Sequence, residues 1–373
     1  MKTNWQTKKL GEICKISTGK SNANEAIEHG KYAFFDRSKT IKKSSRFIFD
    51  CEALIIPGEG AEFFPRYYSG KFDLHQRAYA LFNFKSDIMI RFIEYFLIFN
   101  HKYFERVAVG ATAKSLRFRH FYDLEIFFPP ISEQQRIIKI LDKVFEETDR
   151  VKKNTEINLQ NAKDLSESYL HNLFMNPSYK VKTLGELCKD VEYGSSLKSK
   201  SVGKIPVLRM GNIQDGRFNW NKLVYSDDDH ENKKYLLKYN DVLFNRTNSP
   251  ELVGKTAIYK GEMPAIFAGY LIRIRGNEVL DPDYLNYFLN SNIAKDYGKK
   301  VVSSSVNQAN INGTKLKSYP IPSPSLSEQK SIVKKLDELS EKTKRLEEIY
   351  RQKLADLEEL KKTILKQAFE GKL

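Results

Sequence analysis

The chain has 373 residues, a mass of 43.3 kDa and 62 Lys and Arg against 47 Asp and Glu, giving a net charge of +15 and a pI near 9.4. That length fits two or three domains, and 41% hydrophobic with 12% aromatic residues excludes a chain disordered throughout. No apolar run approaches the ~20 residues of a bilayer helix, Met1 to Leu10 lacks an apolar signal-peptide core, and Cys14, Cys51 and Cys188 form neither a C-x-x-C pair nor a disulfide framework. A reducing, cytoplasmic setting is therefore expected, with no membrane partner. The charge has two readings: a polyanionic partner, most often nucleic acid, or a solvated basic surface.

In chain order, the first landmark is Leu10-Gly-Glu-Ile-Cys-Lys15, which returns as Leu184-Gly-Glu-Leu-Cys-Lys189. Short β-rich runs follow at Ala53–Ile56 and Tyr79–Phe84, with turn signals at Pro57-Gly58 and Ser69-Gly70. A helix is expected over Ile90 to Phe104. After Phe128-Pro-Pro-Ile131 comes the second landmark, Ser132-Glu-Gln-Gln-Arg-Ile-Ile-Lys-Ile-Leu-Asp142, which returns as Ser327-Glu-Gln-Lys-Ser-Ile-Val-Lys-Lys-Leu-Asp337 after Ile321-Pro-Ser-Pro-Ser-Leu326. Between the copies lie β-rich runs at Val242–Phe244 and Leu271–Ile274, turns at Asp215-Gly216 and Ser249-Pro250, and a helix over Pro282 to Tyr297. The landmarks repeat at offsets of 174 (10 to 184) and 195 (132 to 327) residues, so the chain is a tandem duplication whose second half is longer.

Each second landmark starts a long helix. Ser132 and Ser327 read as N-caps, with Glu133 and Glu328 favoured by the dipole in the first turn. Apolar residues then alternate by four and three: Ile137, Leu141, Val144, Val151, Ala162, Leu165, Tyr169, and in the second copy Ile332, Leu336, Leu339, Leu346, Tyr350, Leu357, Leu360, Ile364. That is heptad spacing, interrupted by polar residues at Thr148 and Thr343. Such helices need a partner for their stripe. Each other is one reading, a second copy of the chain the other.

The charge is unevenly spread. Residues 1–131 and 176–326 each carry +7, while the helical stretches 132–175 and 327–373 carry −1 and +2. This pattern expects two binding domains joined by solvated helices.

Catalytic motifs fail on inspection. Asn176-Pro-Ser-Tyr179 lacks the second proline of the adenine-methyltransferase loop and has no glycine-rich cofactor loop upstream. Gly254-Lys-Thr256 and Gly19-Lys-Ser21 lack the first glycine of a phosphate-binding loop, where Ser249 and Cys14 stand. Glu231-Asn-Lys233 has no Pro-Asp partner, and the histidines show no metal-ligand spacing with the cysteines. No catalytic or metal residue is assigned. A nucleic-acid-modifying enzyme with an unrecognised site and a coiled-coil scaffold are the alternatives.

Taken together, these residues resemble the specificity subunits of type I restriction–modification systems over essentially the whole chain. The duplication, the Leu-Gly-Glu openings, the proline-then-Ser-Glu-Gln helix starts and the ending Leu365-Lys-Gln-Ala-Phe-Glu-Gly-Lys-Leu373 carry the likeness. So do Pro206-Val-Leu-Arg-Met-Gly-Asn-Ile213, Asp241-Val-Leu-Phe-Asn-Arg-Thr-Asn-Ser249 and Gln308-Ala-Asn-Ile-Asn312, with Ile56-Pro-Gly-Glu-Gly60 and Lys71-Phe-Asp-Leu-His-Gln-Arg77 in the first half. The resemblance implies an α+β fold: target recognition domains at 1–131 and 176–326, separated by two long antiparallel coiled-coil helices at 132–175 and 327–373. It implies that each domain reads half of a bipartite double-stranded DNA site while the helices set the spacing. It also implies two modification subunits, which bind S-adenosylmethionine and methylate adenine, and restriction subunits that use ATP and Mg²⁺. The chain itself would hold no cofactor.

DNA-facing candidates follow from basic and aromatic loops. In the first half they are Arg66, Tyr67, Gln76, Arg77, Lys114, Arg117 and Arg119. In the second they are Arg209, Asn212, Asn245, Arg246, Thr247, Asn248, Lys255, Gln308, Asn310 and Asn312. Most would meet phosphates. Gln308-Ala-Asn-Ile-Asn312 aligns with Ala113-Lys-Ser-Leu-Arg117, and Gln and Asn pair with adenine whereas Lys and Arg favour guanine. The other reading makes Leu116 and Ile311 core anchors and the polar residues turn caps.

Overall fold

The computed structural model describes residues 4–111, 114–249, 252–305 and 308–373. It divides into two compact units, Met1–Glu156 with Arg351–Leu373, and Ile157–Tyr350. Each unit takes one globular half and parts of both long helices, Ile131–Phe174 and Leu326–Glu370.

The first unit is built on a six-stranded sheet in the order Lys15–Thr18, Ala78–Phe82, Phe49–Pro57, Arg66–Leu74, Tyr32–Phe35, Lys42–Ser44. Only Tyr32–Phe35 and Arg66–Leu74 run parallel. Side chains alternate between faces. Leu54, Ile56, Tyr79 and Leu81 enter the main core with Phe92 and Phe96 of the helix Ile90–Phe99, while Ala53, Ile55, Phe72 and Ala80 fill a smaller core on the opposite face. Ser69-Gly70 is not a turn. It lies inside the strand Arg66–Leu74 opposite Cys51 and Glu52, and Gly70 (φ +119°) takes a backbone conformation closed to other residues. The helix expected over Ile90 to Phe104 breaks at Asn100, whose side chain donates back to the Phe96 carbonyl at 3.0 Å; a second helix runs His101–Val107.

The second unit repeats this plan with one strand split. A four-stranded antiparallel sheet orders Cys188–Tyr193, Leu271–Gly276, Val242–Asn245, Thr256–Ile258, and a three-stranded sheet orders Val224–Ser226, Ile205–Leu208, Ile266–Phe267. Thr256–Ile258 and Ile266–Phe267 together take the place of the single strand Arg66–Leu74. Asp215-Gly216 is a hairpin turn, with both residues at positive φ. The expected Pro282–Tyr297 helix breaks at Ser291, which caps the following helix by accepting from the Ala294 amide. Pro250, in the expected Ser249-Pro250 turn, lies outside the described residues, as does Ala113.

The repeated landmarks share one job. Leu10 and Leu184 are fully buried, and their amides donate to the carbonyls of Leu124 and Tyr319, both at 2.8 Å. Glu12 and Glu186 accept from the Lys9 and Thr183 amides. A Cβ at Gly11 would stand 2.1 Å from the Tyr122 ring, so only glycine admits that approach. Two-stranded ribbons, Gln6–Lys9 with Glu125–Phe128 and Val181–Thr183 with Pro320–Pro322, then tie each half's start to its end just before the long helix.

Both long helices begin one residue earlier than expected, at Ile131 and Leu326. The cap of the second is Ser325, not Ser327: Ser325 accepts from the Glu328 amide and its own amide donates to the Glu328 carboxylate, a capping box. The first has Pro130 there, whose carbonyl accepts from Glu133 and Gln134.

The helices pack within the chain. In the first unit Ile137, Ile138 and Leu141 share a core with Leu365, Ala368 and Phe369. Arg136 reaches the Leu373 carbonyl, Lys361 pairs with Asp149 and Lys152 with Glu358, so the two run antiparallel. In the second unit Phe174 packs with Ile332 and Leu336. The seam differs from the heptad count. Leu165, Leu346 and Leu360 are 66%, 42% and 46% exposed, whereas Thr148 and Thr155 are buried with their hydroxyls returned to the Val144 and Val151 carbonyls. A 3.6-residue turn drifts about 20° per heptad from a 3.5-residue seam, which carries late positions out of the contact.

Candidate nucleic-acid interface

In the first half, four segments converge: the loop after Phe35, Gly58–Gly60, the turn His75–Arg77 and Lys114–Arg119. The buried Asp73 carboxylate accepts from Ser21 at 2.6 Å and Ser44 at 2.8 Å, fixing the strand that leads into the turn. The exposed Gln76 donates to Asn22 at 2.7 Å, and Arg77 pairs with Glu59 at 2.8 Å. Glu59 also accepts from Ser115, while the Gly60 amide donates to Lys114 and the Leu116 amide to Gly58. Leu116 is buried, as an anchor should be, and Lys114, Arg117 and Arg119 stand exposed around it. Buried His120 accepts from the Arg117 amide, and burial with Arg119 and Arg117 beside it holds its pKa below the usual histidine value.

Two candidates are placed differently. Arg66 is half-buried, donates to the Ser38 and Asp36 carbonyls at 2.9 Å each and lies over the Phe35 ring, so it latches the adjoining loop. Tyr67, on the opposite face of the same strand, packs against the main core and donates to Glu52.

In the second half, Ile311 is the buried anchor equivalent to Leu116. Thr247 pairs with Asn310 across a short ladder, its hydroxyl accepting from the Asn310 amide at 2.9 Å. The half-buried Arg246 guanidinium lies 4.8 Å over the Tyr193 ring and reaches the Gly269 carbonyl, with its Nε buried and unpaired among the described residues. Asn312 caps the helix Gly313–Lys317, the position Arg117 holds before Phe118–Tyr122. Asn248 turns back on the Ser249 amide and Lys255 is half-buried. The Gln308 side chain lies outside the described residues. Asn245 is fully buried and donates to the Leu252 carbonyl, with its Oδ1 unpaired among the described residues. Asn212 is also buried: it accepts from the Arg209 amide and donates to the carbonyls of Asn219 and Asn221. Exposed Arg209 donates to the Lys222 carbonyl.

Glu59, Ser115 and Tyr193 were not among the sequence candidates. Their only signal was position, beside Gly58 and Gly60 or inside the repeat offset. What the two surfaces offer is cationic and amide groups held on well-packed supports.

A family model described as the type I restriction modification DNA specificity domain matches residues 2–160 and again residues 176–358. The chain belongs to this family. The type I restriction enzyme EcoDI specificity subunit of Escherichia coli is 26% identical over 99% of this chain and 88% of its own length. The MjaVIII specificity subunit of Methanocaldococcus jannaschii is likewise 26% identical over 99% of this chain and 93% of its own. A chain solved in a study of assembly and conformational transition of the type I R–M system covers 100% of this one and 99% of itself, with a TM-score of 0.77 at 17% identity, a likeness of fold. Two family matches on one chain agree with the duplication. The type I specificity fold thus accounts for the repeated landmarks, and no helix among the described residues is long and apolar enough to cross a membrane.

Proposed function

We propose that this chain is the DNA-recognition subunit of a type I restriction–modification complex, non-catalytic in itself, in which each half reads one half of a bipartite duplex site. The long helices set the spacing between half-sites and receive two modification subunits. S-adenosylmethionine, ATP and Mg²⁺ belong to the modification and restriction subunits, and the complex works in the cytoplasm.

One observation carries this reading: the same frame is built twice, and the polar surface around its shared anchors differs. Leu10 and Leu184, Leu116 and Ile311, and Gln134 and Gln329 make matching contacts, while the polar residues beside the anchors differ: Glu59, Ser115 and Arg117 in the first half correspond to Thr247, Asn310 and Asn312 in the second. Each globular half carries +7. A shared frame with divergent donors suits a reader of two different half-sites.

The test is duplex binding by the purified chain across salt. Neutralising phosphates releases counterions, so log K should fall steeply and linearly with log salt, and heparin should not replace the preferred duplex. Salt-insensitive binding, or equal binding to heparin, contradicts the proposal.

A further inference from the structure

One connection is markedly longer in the second half. Between Tyr32–Phe35 and Lys42–Ser44 the first half uses residues 36–41, while between Ile205–Leu208 and Val224–Ser226 the second uses residues 209–223. The longer connection holds the hairpin Ile213–Gln214 with Arg217–Phe218. It is rigidly mounted. Ile213 and Phe218 are buried in a core with Leu208 and Leu243, and Asn286 donates to the Gly216 carbonyl at the turn at 3.0 Å.

Beside the hairpin lies an open cleft of about 510 Å³. Arg209 and Lys222 flank it, Asn212 forms its floor, and Gln214, Asn219 and Asn221 line it. None of its lining residues is acidic, whereas a groove in the first unit is lined by Glu94, Asp142, Glu146 and Asp149 and would repel a phosphate backbone. The amides are not equivalent. Asn212 is fully committed to the loop. Asn219 donates to Gln214 Oε1 at 2.9 Å and accepts from the Asn221 amide. Gln214 is exposed, pinned through its oxygen, with its Nε2 undonated among the described residues; the exposed Asn221 carboxamide makes no hydrogen bond among them. Gln214, held through one lone pair of its oxygen with its amine open, and the uncommitted Asn221 stand between two cations, a set that matches the edge of adenine, which takes a bidentate pair from Asn or Gln.

We propose that this cleft is the base-reading site of the second half, with Gln214 and Asn221 selecting adenine in the major groove and Arg209 and Lys222 holding the flanking phosphates. The inference rests on the DNA-recognition reading above and assigns specificity to residues other than the buried Asn212 and Asn245.

The experiment is enrichment of randomised duplexes on the full chain, followed by sequencing, for the wild type, Gln214→Glu and Asn221→Ala. Glu retains the acceptor that Asn219 uses but loses the donor, and a carboxylate accepts from the cytosine amine. Gln214→Glu should move one position of one half-site from adenine towards cytosine, by about tenfold or more. Asn221→Ala, at an exposed side chain that makes no hydrogen bond among the described residues, should relax a neighbouring position. The other half-site should be unchanged in both, which also reports a folded chain. If both variants enrich the wild-type motif at every position, the cleft does not read bases. If the wild type enriches no motif, the DNA-recognition reading itself fails, and this inference with it.

Discussion

Gln134 and Gln329 make the same hydrogen bonds in opposite halves of the chain. Gln134 is fully buried; its Nε2 donates to the carbonyls of Asp87 and Pro129 at 2.9 Å, and its Oε1 accepts from the Met89 amide at 2.9 Å. Gln329 does this with Val279, Pro324 and the Asp281 amide at 2.9, 3.0 and 2.8 Å. Each joins the first turn of a long helix to the start of a domain helix, Ile90–Phe99 or Pro282–Asn290. About two turns further on, Tyr95 donates to Asp142 and Tyr287 to Asp337, both at 2.6 Å. Phe369 lies against Phe92 and Phe96, and Phe174 against Tyr284 and Phe288, so the tail of each helix completes the core of the half that the other helix leaves.

Gln134→Ala should therefore cost about 2 kcal/mol, because one buried and two part-buried backbone hydrogen bonds are lost. Gln329→Ala should cost a similar amount. Urea unfolding of both variants checks this, and a loss under about 0.5 kcal/mol at either site contradicts the clamp.

The repeat was legible because landmarks that close a domain must recur wherever the domain does. What they do was not legible. Ser132-Glu-Gln134 reads as a helix start, yet its glutamine acts through Asp87 and Met89, distant in sequence. Strand order was hidden too, since it follows from long-range pairs such as Ala33 with Phe72. Among the site residues, sequence shows polarity but not direction. Asn212 and Asn245 resemble Gln214 chemically, but they turn inward to hold loops. The anchors Leu116 and Ile311 were readable, because apolar residues inside polar loops have few other places to go.

The cysteines should report burial directly. Burial pushes the Cys14 and Cys188 thiols up to about 12, so at pH 8 only about one in 10⁴ is thiolate. Cys51 is raised by lesser burial and Asp50. In the folded chain iodoacetamide should label Cys51 well before Cys14 and Cys188, with all three equal in denaturant. Mass spectrometry of labelled peptides checks the order.

His120 links pH to the Lys114–Arg119 surface. Its folded pKa lies below the unfolded value of about 6.5, owing to burial and then Arg119 and Arg117. The unfolded chain thus takes up the proton first. The stability this neutral histidine supports is intact above about pH 6.5 and is lost as pH falls from there through the folded value. Thermal melts from pH 8 to 5 should show a decline that His120→Gln lessens. An equal decline in the variant contradicts the assignment.

The helices should act as a ruler. Removing one heptad from each shortens each by about 10 Å, roughly three base pairs at ~3.4 Å. The spacer in the enriched site should contract, or binding should fail. An unchanged spacer with full affinity contradicts the ruler.

The central claim, two half-sites read by one duplicated chain, is tested most directly by mapping N6-methyladenine. The chain would be expressed with its modification subunit in a host lacking adenine methylation. The account expects methylation at a single bipartite motif that vanishes when this chain is omitted, with Gln214→Glu altering only one of its halves. Methylation that persists without the chain, or that falls on one contiguous motif, would contradict it.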